Sequence, residues 1–164
     1  VVFMDFAEKH FEQTGHGAYE QLDPETLPPL YIAYNTGLSE GTEVFHNDIR
    51  GRFNRREPDV VAAMAEWADL TQQCRDLLTS GKGSRIGPLL DRNFDLRKSL
   101  YRLSDGNLAM VETARSVGAS AKFTGSGGAI VGTYDSDEMF AALQTGLGKL
   151  GVEVIMPVIE PESR

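Results

Sequence analysis

VGASAKFTGSGGAIVGTY, from Val117 to Tyr134, is the most informative segment of the chain for predicting its architecture. Residues 120–124 and 129–134 form short apolar segments, and glycines stand between them at positions 125, 127 and 128. Glycine adopts the positive φ angles that a tight connection between antiparallel strands requires. The pattern therefore predicts a β-hairpin, and we call its connection, Thr124–Gly128, the glycine turn.

The glycine turn contains more glycine than a hairpin needs. One or two glycines satisfy the steric demand, whereas here Gly125, Gly127 and Gly128 are interleaved with Thr124 and Ser126. Small residues in a row let a ligand approach the backbone, and successive N–H groups can bind an anion. By itself the motif is equally compatible with a phosphate-binding role and with a plain hairpin.

The segments on either side of the hairpin predict an α+β fold. Further strands are expected at 1–6, 30–35 and 152–158, where apolar and β-branched residues concentrate or alternate. Helices are expected at 44–55, 58–78, 85–103, 107–117 and from a cap at Asp135 or Ser136 onward. This order predicts one domain over residues 1–164, with helices on one face of an antiparallel sheet.

Composition excludes several classes of function. A formal net charge of −8 argues against sequence-independent nucleic-acid binding, although backbone N–H groups can still bind a small anion. No apolar run has the length of a membrane span. Cys74 is the only cysteine, so the chain has no internal disulfide and we expect a cytoplasmic protein.

Other common site motifs are absent from the sequence. Gly81-Lys82-Gly83-Ser84 lacks the upstream glycine of a nucleotide-binding P-loop, and no helix follows the glycine turn directly, as a Rossmann fingerprint requires. The three histidines have no metal-ligand spacing, so no metal site is expected in the chain.

The glycine turn and its flanks resemble the C-terminal glycine motif of the GHMP kinases, a family of small-molecule kinases. Four further features are similar in order and spacing to the glucuronokinase branch of that family. They are GHGAYEQLDPETLPPLYIAYN, Gly41, the His-x-x-x-Arg of His46 and Arg50, and NFDLRK. Together these features cover most of the chain.

The resemblance implies a four-stranded ferredoxin-like sheet with helices packed on it, as in the C-terminal lobe of GHMP kinases. It also implies ATP and Mg²⁺ as cofactors and a sugar acid such as glucuronate, phosphorylated at the anomeric hydroxyl, as the acceptor. The family's main phosphate loop, metal ligands and catalytic acid lie in an N-terminal lobe, and no such loop occurs here. We therefore expect no catalytic residue in this chain, which would be inactive alone.

Nine residues are the candidates for ligand contact. The resemblance assigns phosphate or nucleotide contact to the glycine turn and to Lys122, although a solvated lysine is an equal alternative. Asn93 and Arg97 share a helix face and could orient a sugar carboxylate, or Arg97 could instead bond Asp95 or a backbone carbonyl. His16, between two glycines, could contact substrate or be a plain loop histidine.

Two alternatives to a glucuronate kinase remain open. The chain could be a ferredoxin-like binding or regulatory module without enzymatic activity, or a GHMP kinase for galacturonate, another hexose or an isoprenoid alcohol. If a second lobe normally covers part of its surface, the chain alone should self-associate through a sheet edge or its first strand.

Overall fold

The computed structural model describes residues 1–38 and 42–159, with the backbone alone for 42–47. Gly41 and the side chain of His46 therefore lie outside the described residues. The strands are β1 (Val2–Asp5), β2 (Ala18–Gln21), β3 (Leu30–Tyr34), β4 (Lys122–Phe123), β5 (Ala129–Thr133) and β6 (Glu153–Ile155). The helices are α1 (Glu8–Thr14), α2 (Thr42–Asn54), α3 (Pro58–Thr79), α4 (Gly87–Leu100), α5 (Asp105–Ser116) and α6 (Asp137–Gly148).

Four antiparallel strands form the main sheet, in the spatial order β4-β5-β3-β6. The first of these strands in the sequence, β3, lies in the interior, between the third and the fourth. This is the ferredoxin-like arrangement, and it confirms the predicted α+β fold. The hairpin predicted from the glycine turn is the β4–β5 pair, in which Phe123 lies opposite Ile130.

One face of the main sheet carries the core. Tyr31, Ala33 and Ile130 are each 0% exposed and pack with residues of α5 and α6 such as Met110 and Leu147. Phe94 of α4 also packs in this cluster. The cap predicted for the last helix is Ser136, whose Oγ accepts a hydrogen bond from the N–H of Met139 at 3.2 Å.

Two of the predicted strands are shorter than expected. The Ser120 hydroxyl accepts the Thr133 N–H at 2.8 Å, so a side chain replaces a backbone partner and β4 begins only at Lys122. The last strand, β6, ends at Ile155 because Pro157 has no N–H to donate to a sheet. Val158, predicted to alternate inward, is 88% exposed.

The first strand belongs to a separate two-stranded sheet. β1 pairs with β2, and α1 connects them. The sequence predicts β1 but not its partner, since polar residues dominate the segment from 7 to 21. Helix α1 ends at Gly15, which has a φ of 76°, a left-handed conformation that glycine adopts readily.

Candidate functional site

A cavity of about 510 Å³ lies beside the glycine turn. Helix α4 contributes three lining residues, β4 contributes two, and the turn contributes three. They are Asn93, Phe94, Arg97, Lys122, Phe123, Thr124, Gly125 and Ser126. Six of these eight are residues that the sequence singled out, so the fold brings the predicted helix pair and the predicted turn to one place.

Arg97 holds the outer half of the turn, which we define as Thr124, Gly125 and Ser126. Its Nη1 donates to the Gly125 carbonyl at 2.9 Å and its Nη2 to the Ser126 carbonyl at 3.3 Å. The guanidinium carbon also lies 5.2 Å from the ring centroids of Tyr101 and Phe123. Of the interactions expected for Arg97, the backbone carbonyl is therefore present, whereas Asp95 is paired with Arg115.

Asn107 holds the inner half of the turn, which we define as Gly127 and Gly128. Its side chain is 0% exposed, and Oδ1 accepts the N–H of Gly128 at 2.8 Å. Its Nδ2 donates to Ser104 Oγ at 3.0 Å and to the Leu38 carbonyl at 3.3 Å. The sequence analysis missed Asn107, although its place three residues after Ser104 resembles a helix capping box.

The glycines of the two halves have different surroundings. A β-carbon on Gly125 would meet no atom within 4 Å, so the backbone there is open on the side where a side chain would be. Gly127 has a φ of 143°, and a β-carbon on it would lie 2.9 Å from Nδ2 of Asn107. Glycine is therefore required by the fold at position 127, whereas at position 125 it leaves room for another molecule.

Lys122 lies at the start of the hairpin with its side chain half-buried. Its Nζ donates to the carbonyl of Phe123 at 2.8 Å. Burial lowers the pKa of the Lys122 ammonium, and the nearby Arg97 charge lowers it further. The ammonium is thus a partly desolvated cation at the wall of the cavity.

A second cavity of about 340 Å³ adjoins the first. Its lining is mainly apolar and comes from α3, α4 and the face of the main sheet opposite the core. It includes Leu70, Leu89 and Val131. Asn93 and Lys122 line both cavities. Cys74 also lines this cavity. Burial raises the pKa of its thiol, as is typical of a cysteine that packs in the interior.

Known proteins with similar sequences are glucuronokinases. The chain is 40% identical over 134 residues to probable glucuronokinase 2 and 37% identical over 134 residues to glucuronokinase 1, both of Arabidopsis thaliana. Each match covers 80% of this chain but only 36% or 37% of the relative, so the chain spans little more than a third of their length. No model of a protein family matches the sequence.

The fold is similar to that of L. major mevalonate kinase, solved in complex with R-mevalonate. The TM-score is 0.71 at 22% sequence identity, and the match covers 84% of this chain and 43% of that one. Mevalonate kinase is a member of the GHMP kinases, the family that the glycine motif resembles. The chain has the fold of the GHMP kinase C-terminal lobe. Its sequence is similar to those of the two glucuronokinases.

Two further residues, Asp91 and Arg115, anchor the glycine hairpin. Asp91 Oδ1 accepts the N–H of Ala121 at 2.8 Å, just before β4. Arg115 pairs with Asp95 at 2.7 Å and donates to the Asp91 carbonyl at 2.8 Å, which ties α5 to α4. The i, i+4 spacing of Asp91 and Asp95 was the signal in the sequence that could have indicated a shared cation.

The remaining predicted residue, His16, is placed elsewhere. It is exposed between α1 and β2, where its Nδ1 lies 2.9 Å from the Gly17 carbonyl, and it lines neither cavity. Over residues 1–38 and 42–159 the structure shows no group of three or more His, Cys, Asp or Glu suited to a metal ion. In the same ranges, no helix is both long enough and apolar enough to cross a bilayer.

Proposed function

We propose that the chain is the C-terminal lobe of an ATP-dependent kinase that phosphorylates a sugar acid such as glucuronate at its anomeric hydroxyl. The observation that carries this proposal is the cavity beside the glycine turn. It joins an open backbone at Gly125 to the polar side chains of Asn93 and Lys122. The names of the two relatives supply the sugar acid, and we transfer that acceptor to this chain as a proposal.

The lining of the cavity fits the phosphate end of a nucleotide. A bare backbone at Gly125 permits close approach of a phosphate, and successive backbone N–H groups of a turn can bind an anion. ATP, when bound, would supply the phosphoryl group. The residues of this chain would position it, since phosphoryl transfer depends mainly on positioning and charge stabilisation.

The chain supplies only part of such a site. The resemblance to the GHMP kinases implies that the metal ligands and the catalytic acid lie in an N-terminal lobe, so we assign both to sequence outside this chain. The 164 residues alone should therefore release no ADP from Mg-ATP and glucuronate. Activity of the purified chain above that of a heat-inactivated sample would refute this assignment.

ADP release tests the proposed function directly. The polypeptide that contains this sequence together with its missing lobe is incubated with Mg-ATP and one acceptor at a time: glucuronate, galacturonate, galactose or mevalonate. We expect release with glucuronate. Release with a neutral acceptor alone would retain the kinase but change its substrate, and no release with any of the four would reject the proposal.

A substitution at Gly125 tests the role of the turn in the same assay. Gly125→Val places a branched side chain where a β-carbon meets no atom within 4 Å, so it should block the ligand without disturbing the fold. Gly148→Ala is the matched control, because its β-carbon also meets no atom within 4 Å but lies at the end of α6. We expect the first variant to lose activity and the second to retain it.

Association and location stay predictions. Exposed apolar side chains on the two-stranded sheet support self-association of the chain, since Met4 is 53% exposed and Tyr19 62%. Light scattering that showed only monomer at high protein concentration would contradict it. A cytoplasmic location is consistent with ATP as the donor and is tested by fractionation.

A further inference from the structure

The two cavities beside the glycine hairpin form a positively charged area in an acidic protein. The chain has a formal net charge of −8, yet among the described residues no Asp or Glu lines either cavity. The charged lining residues are Arg97 and Lys122. A cavity that excludes carboxylates and retains two cations is suited to an anionic ligand.

The two cations differ in what they already bind. Arg97 donates from both terminal nitrogens to carbonyl groups of the turn, and it is flanked by the Tyr101 and Phe123 rings. A carboxylate bound through that same pair of nitrogens would have to share them with the two carbonyl groups of the turn. The sugar carboxylate is therefore a poor fit for the residue to which the sequence assigned it.

Lys122 has the opposite properties. Within the described part of the chain it forms no ion pair, and its hydrogen bond to the Phe123 carbonyl uses one of the three donors of an ammonium group. Among the residues that the structure describes, it is the only charged one that lines both cavities, and Asn93 accompanies it in both. A ligand that lies across the junction of the cavities would meet Lys122 and Asn93 together.

We propose that Lys122 binds the carboxylate of the acceptor and thereby determines specificity for an acidic sugar, while Arg97 is a positioning residue for the glycine turn. The inference rests on the proposed function. It assigns the outer half of the turn to the phosphates and the junction of the cavities to the acceptor. Burial and the Arg97 charge lower the pKa of the Lys122 ammonium, and a bound carboxylate would offset both effects.

The test compares glucuronate with glucuronamide, in which a neutral amide replaces the carboxylate. With the complete kinase, Lys122→Met should raise the KM for glucuronate about tenfold or more, the loss expected for a hydrogen bond to a charged group. The KM for glucuronamide and the KM for ATP should stay within about twofold of wild type. Lys122→Arg, which keeps the positive charge, should restore most of the preference for glucuronate.

Three results would overturn the inference. A rise in the KM for ATP with the glucuronate preference unchanged would make Lys122 a phosphate ligand. An equal loss for both acceptors would make its role structural. Loss of the glucuronate preference in Arg97→Lys but not in Lys122→Met would return the carboxylate to Arg97.

A binding measurement tests the inference without relying on turnover, and it applies even where Lys122→Met fails to fold. Lysines of the complete protein are reductively methylated with ¹³C, and the Lys122 signal is identified from Lys122→Arg. Glucuronate should shift this signal and raise the pKa of Lys122, whereas glucuronamide should do neither. Absence of ADP release with all four acceptors rejects the proposed function. An unchanged chemical shift of Lys122 in a protein that phosphorylates glucuronate rejects only this inference.

Discussion

The two halves of the glycine turn are alike in sequence and different in structure. The outer half, with Gly125, faces a cavity and is held through its carbonyl groups by Arg97. The inner half, with Gly127 and Gly128, is held through an N–H by the buried Asn107. One half leaves its backbone open on the cavity side, and the other uses its backbone to join the hairpin to α5.

The difference shows that glycine serves two physical purposes within five residues. At position 127 it permits a φ of 143° that other residues rarely adopt, and at position 125 it leaves space. Both purposes select the same residue, so composition alone cannot separate them. The neighbouring side chains separate them, and substitutions should do so as well.

Alanine at each position should produce the largest contrast. Gly127→Ala forces a side chain into a strained conformation 2.9 Å from Asn107 Nδ2, so we expect unfolding to become about 3 kcal/mol easier. Gly125→Ala adds a methyl group in open space and should change stability by about 0.5 kcal/mol or less. Urea denaturation of the 164-residue chain, followed by circular dichroism, measures both. Equal losses would refute the division of the turn.

Removing the amide of Asn107 should have the next largest effect. Asn107→Ala leaves the buried N–H of Gly128 without its partner, which costs about 2 kcal/mol. Asn93→Ala is the matched control, because Asn93 is half-buried at the cavity and should cost under about 1 kcal/mol. If the control were as destabilising as Asn107→Ala, the inner half would not depend on Asn107.

Changing Arg97 to lysine should have a smaller effect that is confined to the outer half. Lysine keeps the charge but cannot donate to two adjacent carbonyls from a rigid plane, so Arg97→Lys should cost about 1 kcal/mol. Hydrogen exchange should become faster at the amides of the outer half and stay unchanged at Gly128. Faster exchange throughout the turn would show that the two halves are held as one unit.

Local patterns predicted most of the fold. The strands predicted from the apolar and β-branched segments of β3 and β5, the long helices and the cap at Ser136 are all confirmed. Strand ends were predicted less well, because side-chain hydrogen bonds such as Ser120 to Thr133 replace backbone pairing. The β1–β2 pair was missed because β2, with Tyr19 62% exposed, has little of the apolar alternation that indicates a strand.

Most of the residues that line the cavity beside the turn were predicted from the sequence, but the contact that each of them makes was not. Helical spacing placed Asn93 and Arg97 on one face, and the cavity beside the turn includes both. No pattern in the sequence indicates that Arg97 bonds carbonyls 28 and 29 residues away, or that Asn107 reaches Gly128. Such contacts depend on how α4 and α5 pack against the hairpin, which only the tertiary structure specifies.

The smallest effect concerns pH and tests the environment of Lys122 at the base of the outer half. The pKa of its ammonium is lower in the folded chain than its ordinary value of 10.5, chiefly because of burial. Between those two pKa values the unfolded chain binds more protons, so the contribution of Lys122 to the free energy of unfolding rises with pH there. At lower pH both states hold the proton, and the cost of burying the charge is fully present.

Two variants isolate this contribution from the other groups that titrate in alkali. Lys122→Met carries no charge, so its stability relative to wild type should fall as pH rises from about 7 toward about 10. Lys122→Arg stays charged over that range, so the difference in stability between the two variants should depend on pH only through the effect of that charge on the Cys74 thiol. Urea midpoints at several pH values give both comparisons. A constant difference in stability between wild type and Lys122→Met would mean that Lys122 is as well solvated in the folded chain as in the unfolded chain. Burial would then contribute nothing to the binding of an anionic ligand by Lys122.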